Sequence, residues 1–297
     1  MNKNPLQLMA FLALVISFLA LGLALTDRNS VAPALTRIEP AAGENLYTQV
    51  SKRGELRCGY VTYAPYLQKN LETGQLEGPI YDLIEELGRT LQIKIIWAEE
   101  TDFNTMIQSL EAGRFDAMCS LAWQDVNRAA RVEFSVPVLY NILNAYARPD
   151  FAKNINLSDL NTENIRFSAL EGSPDLWVIE KRFPRATVLS SASQGQVAKT
   201  LLDVLTHKAD VALTEPAVMQ NFLKTNPDSL HQIGQGPVQV FPLVMLLPLG
   251  EPEFKNWVDA GFRDILNRDG LTDILNRYPE VRENIKPVSP GYQTSSY

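Results

Sequence analysis

The chain has 297 residues, of which 45% are hydrophobic and 21% charged, values that are typical of a globular protein with one or two domains. Its formal net charge of −7, with no dense stripe of Lys and Arg, argues against a nucleic-acid-binding protein. Two cysteines and two histidines are too few for a disulfide scaffold or a metal cluster, so the sequence predicts neither a metal site nor a cofactor.

Residues 1–26 contain the longest apolar stretch of the chain. Within it, residues 8–25 have Ser17 as their only polar side chain, and a helix of this length is just able to cross a bilayer. We expect an uncleaved membrane anchor; a cleaved signal peptide is the alternative, with "GLA" at residues 22–24 as a weak cleavage site. Residues 27–43 contain two prolines and predict a flexible linker. In both cases the remainder of the chain is expected outside the cytoplasm.

From residue 55 onward the hydrophobic pattern alternates between strands and helices. The predicted elements are, in chain order, strand 55–61, helix 78–92, strand 93–100, helix 103–113 and strand 114–122. This alternation predicts a parallel sheet flanked by helices. Cys58 and Cys119 fall inside two of these strands, where we expect buried free thiols rather than a disulfide.

The same alternation restarts at residue 165. The predicted elements are strand 165–170, helix 173–183, strand 186–191, helix 196–208, strand 209–214, helix 215–224 and strand 238–249. Two further helices, 251–270 and 271–278, have no strands of their own and must pack on one of the lobes. The pattern therefore predicts an α/β protein with two lobes, each too small to be a complete doubly wound domain.

Functional residues are expected where the parallel strands end, because ligands of open α/β sheets bind beyond the carboxyl ends of the strands. Three such places are residues 63–66, residues 123–128 and Glu215. They supply aromatic, basic and acidic groups that would face one cleft between the lobes. Arg128 is the most informative of these groups. A buried guanidinium needs either an internal carboxylate partner or one that a ligand supplies.

Six segments, in this order, resemble the extracellular solute-binding proteins of family 3, the polar amino-acid receptors of ABC importers. They are "GELRCGYVTYAPYLQ", "TGQLEGPIYDLIEELGRTL", "DFNTMIQSLEAGRFDA", "NRAARVEFSVPV", "ADVALTEPAV" and "FRDILNRDGLTDILNRY". The likeness covers residues 44–285. No single segment is unique to the family, but the ordered set is specific.

The resemblance implies a type II periplasmic-binding-protein fold, with two lobes that are joined by two hinge strands and close on a ligand. By this likeness lobe 1 comprises residues 44–138 and 242–285, lobe 2 comprises residues 139–241, and residues 286–297 form a polar tail. The expected protein is a monomer that delivers an amino acid or a similar zwitterion to an ABC permease in the cytoplasmic membrane.

The resemblance also implies roles for six residues. Arg128 would grip the α-carboxylate of the ligand, and Glu215 would meet its α-ammonium group. Tyr63 and Phe103 would pack on the ligand, and Gly172 and Ser173, at a helix start, would supply hydrogen bonds to the carboxylate. This chemistry is sensible in itself, because a planar guanidinium offers two parallel donors and a helix N-terminus favours an anion.

Three positions before Arg128 depart from the family pattern. Leu121 stands where the family has a glycine, and Trp123 and Asp125 stand where it has threonines. Trp123 could fill part of the pocket or stack on a flat ligand, while Asp125 adds negative charge nearby. An aromatic, cationic or non-amino-acid ligand therefore stays open.

The sequence leaves two other functions open. A membrane-anchored accessory subunit that senses a ligand would use the same closing cleft. An enzyme similar to cyclohexadienyl dehydratase would need a general acid, for which Glu215 is the only evident candidate. The chain has no G-x-S-x-G, H-E-x-x-H or Gly-rich phosphate-loop motif. We therefore expect a binding protein with no catalytic residues.

Overall fold

The computed structural model describes residues 43–192 and 197–288. The predicted anchor or signal segment, residues 1–26, lies outside these residues, as do almost all of the predicted linker and most of the predicted tail. Among the described helices, none combines the length and the apolar character that crossing a bilayer requires.

The described residues form thirteen strands and ten α-helices, numbered here in chain order. The strands are β1 Glu55–Tyr60, β2 Gln68–Lys69, β3 Leu76–Glu77, β4 Lys94–Glu100, β5 Ala117–Trp123, β6 Val132–Phe134, β7 Leu139–Ala147, β8 Arg166–Leu170, β9 Thr187–Ser191, β10 Val211–Thr214, β11 His231–Ile233, β12 Gln239–Pro248 and β13 Ile285–Pro287. The helices are α1 Leu46–Arg53, α2 Pro79–Leu91, α3 Met106–Glu111, α4 Val126–Ala129, α5 Pro174–Arg182, α6 Ala198–Leu205, α7 Pro216–Leu223, α8 Pro252–Asn267, α9 Gly270–Leu275 and α10 Pro279–Arg282.

The main sheet has the strand order β4-β1-β5-β12-β7-β10-β8-β9. Strand β1 is parallel to both β4 and β5, and β8 is parallel to both β9 and β10, as the alternating pattern predicts. We call the part built on β4, β1 and β5 lobe 1, and the part built on β10, β8 and β9 lobe 2. Each lobe is a small parallel sheet with helices, in agreement with the predicted fold class.

Two antiparallel strands in the middle of the sheet, β7 and β12, connect the lobes. Strand β12 pairs with β7 through Gln239–Leu243 and with β5 from Leu243 onward. Strand β7 pairs with β12 in its first half and with β10 in its second half. These are the two hinge strands that the family resemblance implies.

Helix α2 illustrates how the sequence pattern positions lobe 1. Pro79 occupies its first turn, and the apolar face predicted from the sequence, which includes Leu83 and Leu87, is buried. The C-terminal helix α8 packs against this helix at Gly261, where an added Cβ atom would lie 2.7 Å from the Cδ1 atom of Leu87. Glycine therefore permits the close approach that fixes the C-terminal helices on lobe 1.

The expectation that the two cysteines are free thiols is wrong, because the structure joins Cys58 and Cys119 in a disulfide. The two residues lie on the neighbouring strands β1 and β5, and Cys58 is in register with Ala117, two residues before Cys119. Alternate residues of a strand point to the same face, so both sulfur atoms meet in the core of lobe 1. The Cα atoms are 5.4 Å apart, an ordinary distance for a disulfide.

The disulfide should stabilise the fold by constraining the unfolded chain. It closes a loop with a sequence separation of 61 residues, for which chain entropy gives about 4 kcal/mol. We expect the double variant Cys58→Ala, Cys119→Ala to lose most of this free energy of unfolding in a denaturant titration. Because the chain has no other cysteine, a reducing agent should destabilise the wild type by a similar amount and leave the variant unchanged. Equal stability of the oxidised wild type and the variant would contradict this assignment.

Candidate functional site

A cavity that is partly open to solvent lies between the two lobes. Residues that follow β1, β5 and β10 contribute to its wall, so the strand ends converge as the parallel-sheet rule predicts. The cavity brings together seven of the nine residues predicted from the sequence, namely Tyr63, Phe103, Leu121, Trp123, Arg128, Ser173 and Glu215. Gly172 and Asp125 do not line it.

Arg128 has an internal partner and also faces the cavity. It lies in the short helix α4, directly after β5, and only 8% of the residue is exposed. Its Nε atom is 3.3 Å from the Oδ2 atom of Asp125, and its Nη1 atom donates to the carbonyl oxygen of Trp123 at 3.0 Å. Burial lowers the pKa of Arg128 from its ordinary value, and the charge of Asp125 opposes this shift. Nη2 makes no hydrogen bond to any described residue, so its two N–H groups remain for another acceptor.

Asp125 lies behind the cavity wall and organises Arg128. Its side chain caps the N-terminus of α4 by accepting hydrogen bonds from the backbone N–H groups of Asn127 and Arg128, at 2.9 and 3.1 Å. The same carboxylate forms the ion pair with the guanidinium. The negative charge expected near the cleft is therefore present, but it serves first as a helix cap and as a counter-charge.

Leu121 and Trp123 shape the wall of lobe 1. Leu121 has a φ angle of +54°, in the left-handed region that glycine adopts without strain, and it stands where the family has a glycine. The ring of Trp123 stacks on Phe241 of hinge strand β12, with ring centroids 4.3 Å apart and planes inclined by 12°. One face of the indole is therefore covered by the protein itself, which leaves less of the ring for a flat ligand than the sequence suggested.

Glu215 caps the start of α7 after β10 and is almost fully buried, with 2% of the residue exposed. Its carboxylate accepts hydrogen bonds from the hydroxyl of Tyr63, from Nδ2 of Asn141 at 3.1 Å and from Oγ1 of Thr214 at 3.4 Å. Burial raises the pKa of Glu215 to about 7; the charge of Asp175 adds to the increase, whereas the hydrogen bond from Tyr63 opposes it.

The hydrogen bonds of Glu215 tie the two lobes to the hinge. Tyr63 belongs to the loop after β1 in lobe 1, Glu215 follows β10 in lobe 2, and Asn141 lies on hinge strand β7. Tyr66 completes the network by donating to Oδ1 of Asn141 at 3.0 Å, and its ring stacks on that of Tyr63. Phe103 packs edge-on against Tyr63 from the same lobe, with ring centroids 6.0 Å apart. The aromatic residues predicted for ligand contact thus also support the acidic group.

The start of α5, where Gly172 and Ser173 were expected to donate hydrogen bonds to a ligand carboxylate, is arranged differently. The hydroxyl of Ser173 lies 2.5 Å from the carbonyl oxygen of Leu170 and also within reach of the carboxylate of Asp175, so its single proton is engaged within lobe 2. Gly172, with a φ angle of +72°, lies where the lobes meet, since an added Cβ atom would be 2.2 Å from Oδ1 of Asn104 in lobe 1. This close approach requires glycine.

Asp175 is an acidic cavity residue that was not predicted from the sequence. It lies in the first turn of α5 and lines the cavity with Ser173 and Pro174. Partial burial raises the pKa of Asp175 to about 6, although hydrogen bonds from the Ser173 hydroxyl and from the N–H groups of the helix start favour its ionised form. The sequence did contain a signal for this role, since Asp175 follows Ser173 by two residues. An acid at that position competes with a ligand carboxylate for the N–H groups of the helix start.

The raised pKa of Glu215 predicts a stability that depends on pH. The folded chain holds a proton that the unfolded chain releases between about pH 4.5 and 7, so wild-type stability should fall as the pH rises through this range. We expect Glu215→Gln, without added ligand, to be more stable than the wild type by about 1–3 kcal/mol at pH 8. The difference should vanish below pH 4.5 in denaturant titrations. Glu171→Gln, at an exposed glutamate of lobe 2, is the control, and an unchanged pH profile in Glu215→Gln would refute the assignment.

Comparison with known proteins agrees with the fold. The family model for bacterial extracellular solute-binding proteins, family 3, matches residues 56–280. A protein of Campylobacter jejuni subsp. jejuni serotype O:2 described as "Probable histidine-binding protein" is 27% identical over 170 residues, which span 56% of this chain and 61% of that relative. The match thus spans less than two thirds of that relative.

Solved structures show the same fold at low sequence identity. The ancestral amino acid-binding protein AncCDT-1, a precursor of cyclohexadienyl dehydratase, superposes with a TM-score of 0.68 at 23% identity, covering 79% of this chain and 99% of that one. The amino acid ABC transporter substrate-binding protein AbpA from Streptococcus pneumoniae, bound to L-arginine, gives a TM-score of 0.67 at 18% identity, covering 77% and 96%. Because the family model matches well over half of the chain, the protein belongs to the bacterial extracellular solute-binding proteins, family 3.

Proposed function

We propose that this protein is a receptor outside the cytoplasm that captures an amino acid or a similar small zwitterion between its lobes and delivers it to an ABC importer. The observation that carries the proposal is the presence of Arg128 and Glu215 in the wall of one cavity, on lobes that are joined through β7 and β12. A zwitterion offers each of these groups a charge of opposite sign.

The proposed binding mode follows from the donors and acceptors that remain. Nη2 of Arg128 would donate to the ligand carboxylate while Asp125 holds the rest of the guanidinium in place. Glu215 would accept a hydrogen bond from the ligand ammonium group, with Tyr63 and Asn141 fixing the orientation of the carboxylate. Such contacts involve both lobes, so they would stabilise the closed arrangement relative to an open one.

In this mechanism residues 44–138 and 242–285 move as one body and residues 139–241 as the other. The change in backbone angles would be concentrated in β7 and β12. The names of the relatives support an amino-acid ligand, because one is described as histidine-binding and another was solved with L-arginine. Asp125, Leu121, Trp123, Phe103, Ser173 and Gly172 would shape the pocket rather than carry the main charges.

Binding should depend on the guanidinium of Arg128. We expect some amino acids of a test panel to stabilise the full-length protein against unfolding. At a concentration 100-fold above Kd the free energy of unfolding should rise by about 2.7 kcal/mol, which a thermal-shift assay detects as a higher Tm. Arg128→Lys keeps the charge but loses the planar fork of donors, so affinity should fall at least tenfold. The control is Arg131→Lys, which changes an exposed arginine one turn away that pairs with Glu111. The carboxylate assignment fails if both variants bind like the wild type.

A second candidate function is a dehydratase, favoured by one observation: a buried carboxyl group with a pKa of about 7 lies in the cavity, which suits a general acid at neutral pH. Incubation with a hydroxylated cyclohexadienyl acid, followed by absorbance of the aromatic product, tests it. Product formation that disappears in Glu215→Gln would replace the receptor proposal with the enzyme.

We propose further that residues 1–26 tether the protein to the cytoplasmic membrane and leave it close to its permease, which raises the effective concentration of the receptor there. The full-length protein should then stay with membranes after an alkaline wash, and its mature N-terminus should be the original one. Release into the soluble periplasmic fraction with a new N-terminus near residue 25 would show a cleaved signal peptide instead. Co-purification with permease subunits supports import; co-purification with a signalling protein supports a sensing role.

A further inference from the structure

The segment that follows α9 contacts both lobes and the hinge. Helix α10, Pro279–Arg282, contacts α9 of lobe 1 and α7 of lobe 2, and strand β13, Ile285–Pro287, pairs antiparallel with hinge strand β7. We call residues 279–287 the strap. The lobes are therefore connected by the strands β7 and β12 and, in addition, by the non-covalent contacts of the strap.

The strap adds a third strand to the hinge. Asn141 of β7 is in register with Phe241 of β12 and with Ile285 of β13, so the two neighbouring strands lie on opposite edges of β7. Leu139 and Tyr140 are paired on both edges in the same way. A segment with partners on both edges bends only if inter-strand hydrogen bonds on both sides are disturbed. The strap thus holds the first part of β7 in place.

The pairing of β7 is one-sided directly beyond the strap. Among the described strands, Ile142 and Leu143 pair with β12 alone, and Asn144 pairs with β10 alone. Residues 145–147 are again paired on both edges, with β10 and β11. Three consecutive residues between two doubly paired segments are the place where β7 bends at the lowest cost in hydrogen bonds. The extent of β13 therefore determines where the hinge begins.

Helix α10 carries the contact between the strap and lobe 2. Val281 is 1% exposed and belongs to the same buried apolar cluster as Val218 and Phe222 of α7, whereas Arg282 on the same helix is exposed. Burial of apolar surface is favourable in proportion to the area that leaves water. A rotation of lobe 2 about residues 142–144 would move α7 relative to α10 and expose part of this area.

The strap makes these contacts in an arrangement in which the lobes meet across the cleft. The hydroxyl of Tyr63 in lobe 1 donates to Glu215 in lobe 2, and Gly172 of lobe 2 lies close to the side chain of Asn104 in lobe 1. Asn141, which also donates to Glu215, lies in the part of β7 that pairs with the strap. The contacts of the strap and the contacts across the cleft therefore favour the same arrangement.

A C-terminal segment that only completed lobe 1 would contact lobe 1 alone, as α9 does through α2 and α8. The strap instead continues to α7 of lobe 2 and to a free edge of the hinge strand. We propose that the strap holds the lobes together in the protein without ligand and confines the bending of β7 to residues 142–144. The inference rests on the lobe rotation of the function proposed above and specifies its hinge and its ligand-free state.

The lobe arrangement is measured by pulsed electron paramagnetic resonance on the full-length protein, without ligand. Nitroxide labels are attached at Val126→Cys, after β5 of lobe 1, and at Glu171→Cys, after β8 of lobe 2, because both positions are exposed and follow strand ends at the cleft. The native cysteines are joined in a disulfide and take no label. The distribution of distances between the labels then reports the separation of the lobes.

Two variants weaken the strap, and each has a matched control. Val281→Ala should raise the ratio of long to short label distances by a factor of about three or more, because it removes apolar area from the contact between α10 and α7. A truncation after Asn284, which removes β13, should also lengthen the distances. The controls are Arg282→Ala, at the exposed position of α10, and a truncation after Val288, which keeps β13; both should match the wild type.

Each outcome decides between the proposals. Longer distances in the strap variants, shortened again by one of the standard amino acids, support both. Strap variants that match the wild type overturn the strap proposal, and the receptor function stands if an amino acid changes the distance in the wild type. Longer distances in the controls as well also overturn the role of the strap. If the truncation after Asn284 does not fold, Val281→Ala and its control decide alone. If neither the variants nor any amino acid changes the distance, both proposals fall.

Discussion

The carboxylate of Glu215 is the group on which the arrangement of this protein depends. It lies in lobe 2, accepts a hydrogen bond from Tyr63 of lobe 1 and another from Asn141 of hinge strand β7, and is almost completely buried. A charge in that position is unfavourable unless a partner supplies compensation. The burial that raises its pKa to about 7 would also strengthen its attraction to the ligand ammonium group proposed above. In that proposal ligand capture and lobe contact use the same carboxylate.

Arg128 differs from Glu215 because it has a counter-charge within the protein. Its charge is already compensated by Asp125, and its position is fixed by the carbonyl of Trp123, so it remains ordered whichever ligand is present. Because the side chain is held in place, less conformational entropy is lost when a ligand binds. The negative charge of Asp125, however, weakens the attraction between Arg128 and an anionic ligand group. In the proposed binding mode Arg128 is therefore a modest carboxylate clamp, because Asp125, one of the departures from the family pattern, already offsets its charge.

Much of the fold could be predicted because the hydrophobic periodicity of its strands and helices is clear. The convergence of residues after β1, β5 and β10 on one cavity could be predicted because ligands of open parallel sheets bind at the carboxyl ends of the strands. The hydrophobic pattern alone did not predict strand β7, which only the family resemblance implied as a hinge strand, because Asn141 and Asn144 interrupt its apolar run. Both asparagines are buried through contacts with Glu215 and Gln232, which are distant in the sequence. The disulfide escaped for a similar reason, since the register of β1 and β5 decides whether Cys58 and Cys119 meet. Asp175 was missed because helix-start chemistry alone cannot tell a solvent-facing acid from one that lines a cavity.

The stack of Trp123 on Phe241 has a consequence for how the protein can be observed. The indole borders the cavity on one side and lies flat on a ring of hinge strand β12 on the other. If the lobes rotate as proposed about β7 and β12, these rings would shift against each other and the polarity around the indole would change. In a variant in which Trp97, Trp177 and Trp257 are replaced by phenylalanine, the emission of Trp123 would then follow opening and closure without an attached dye.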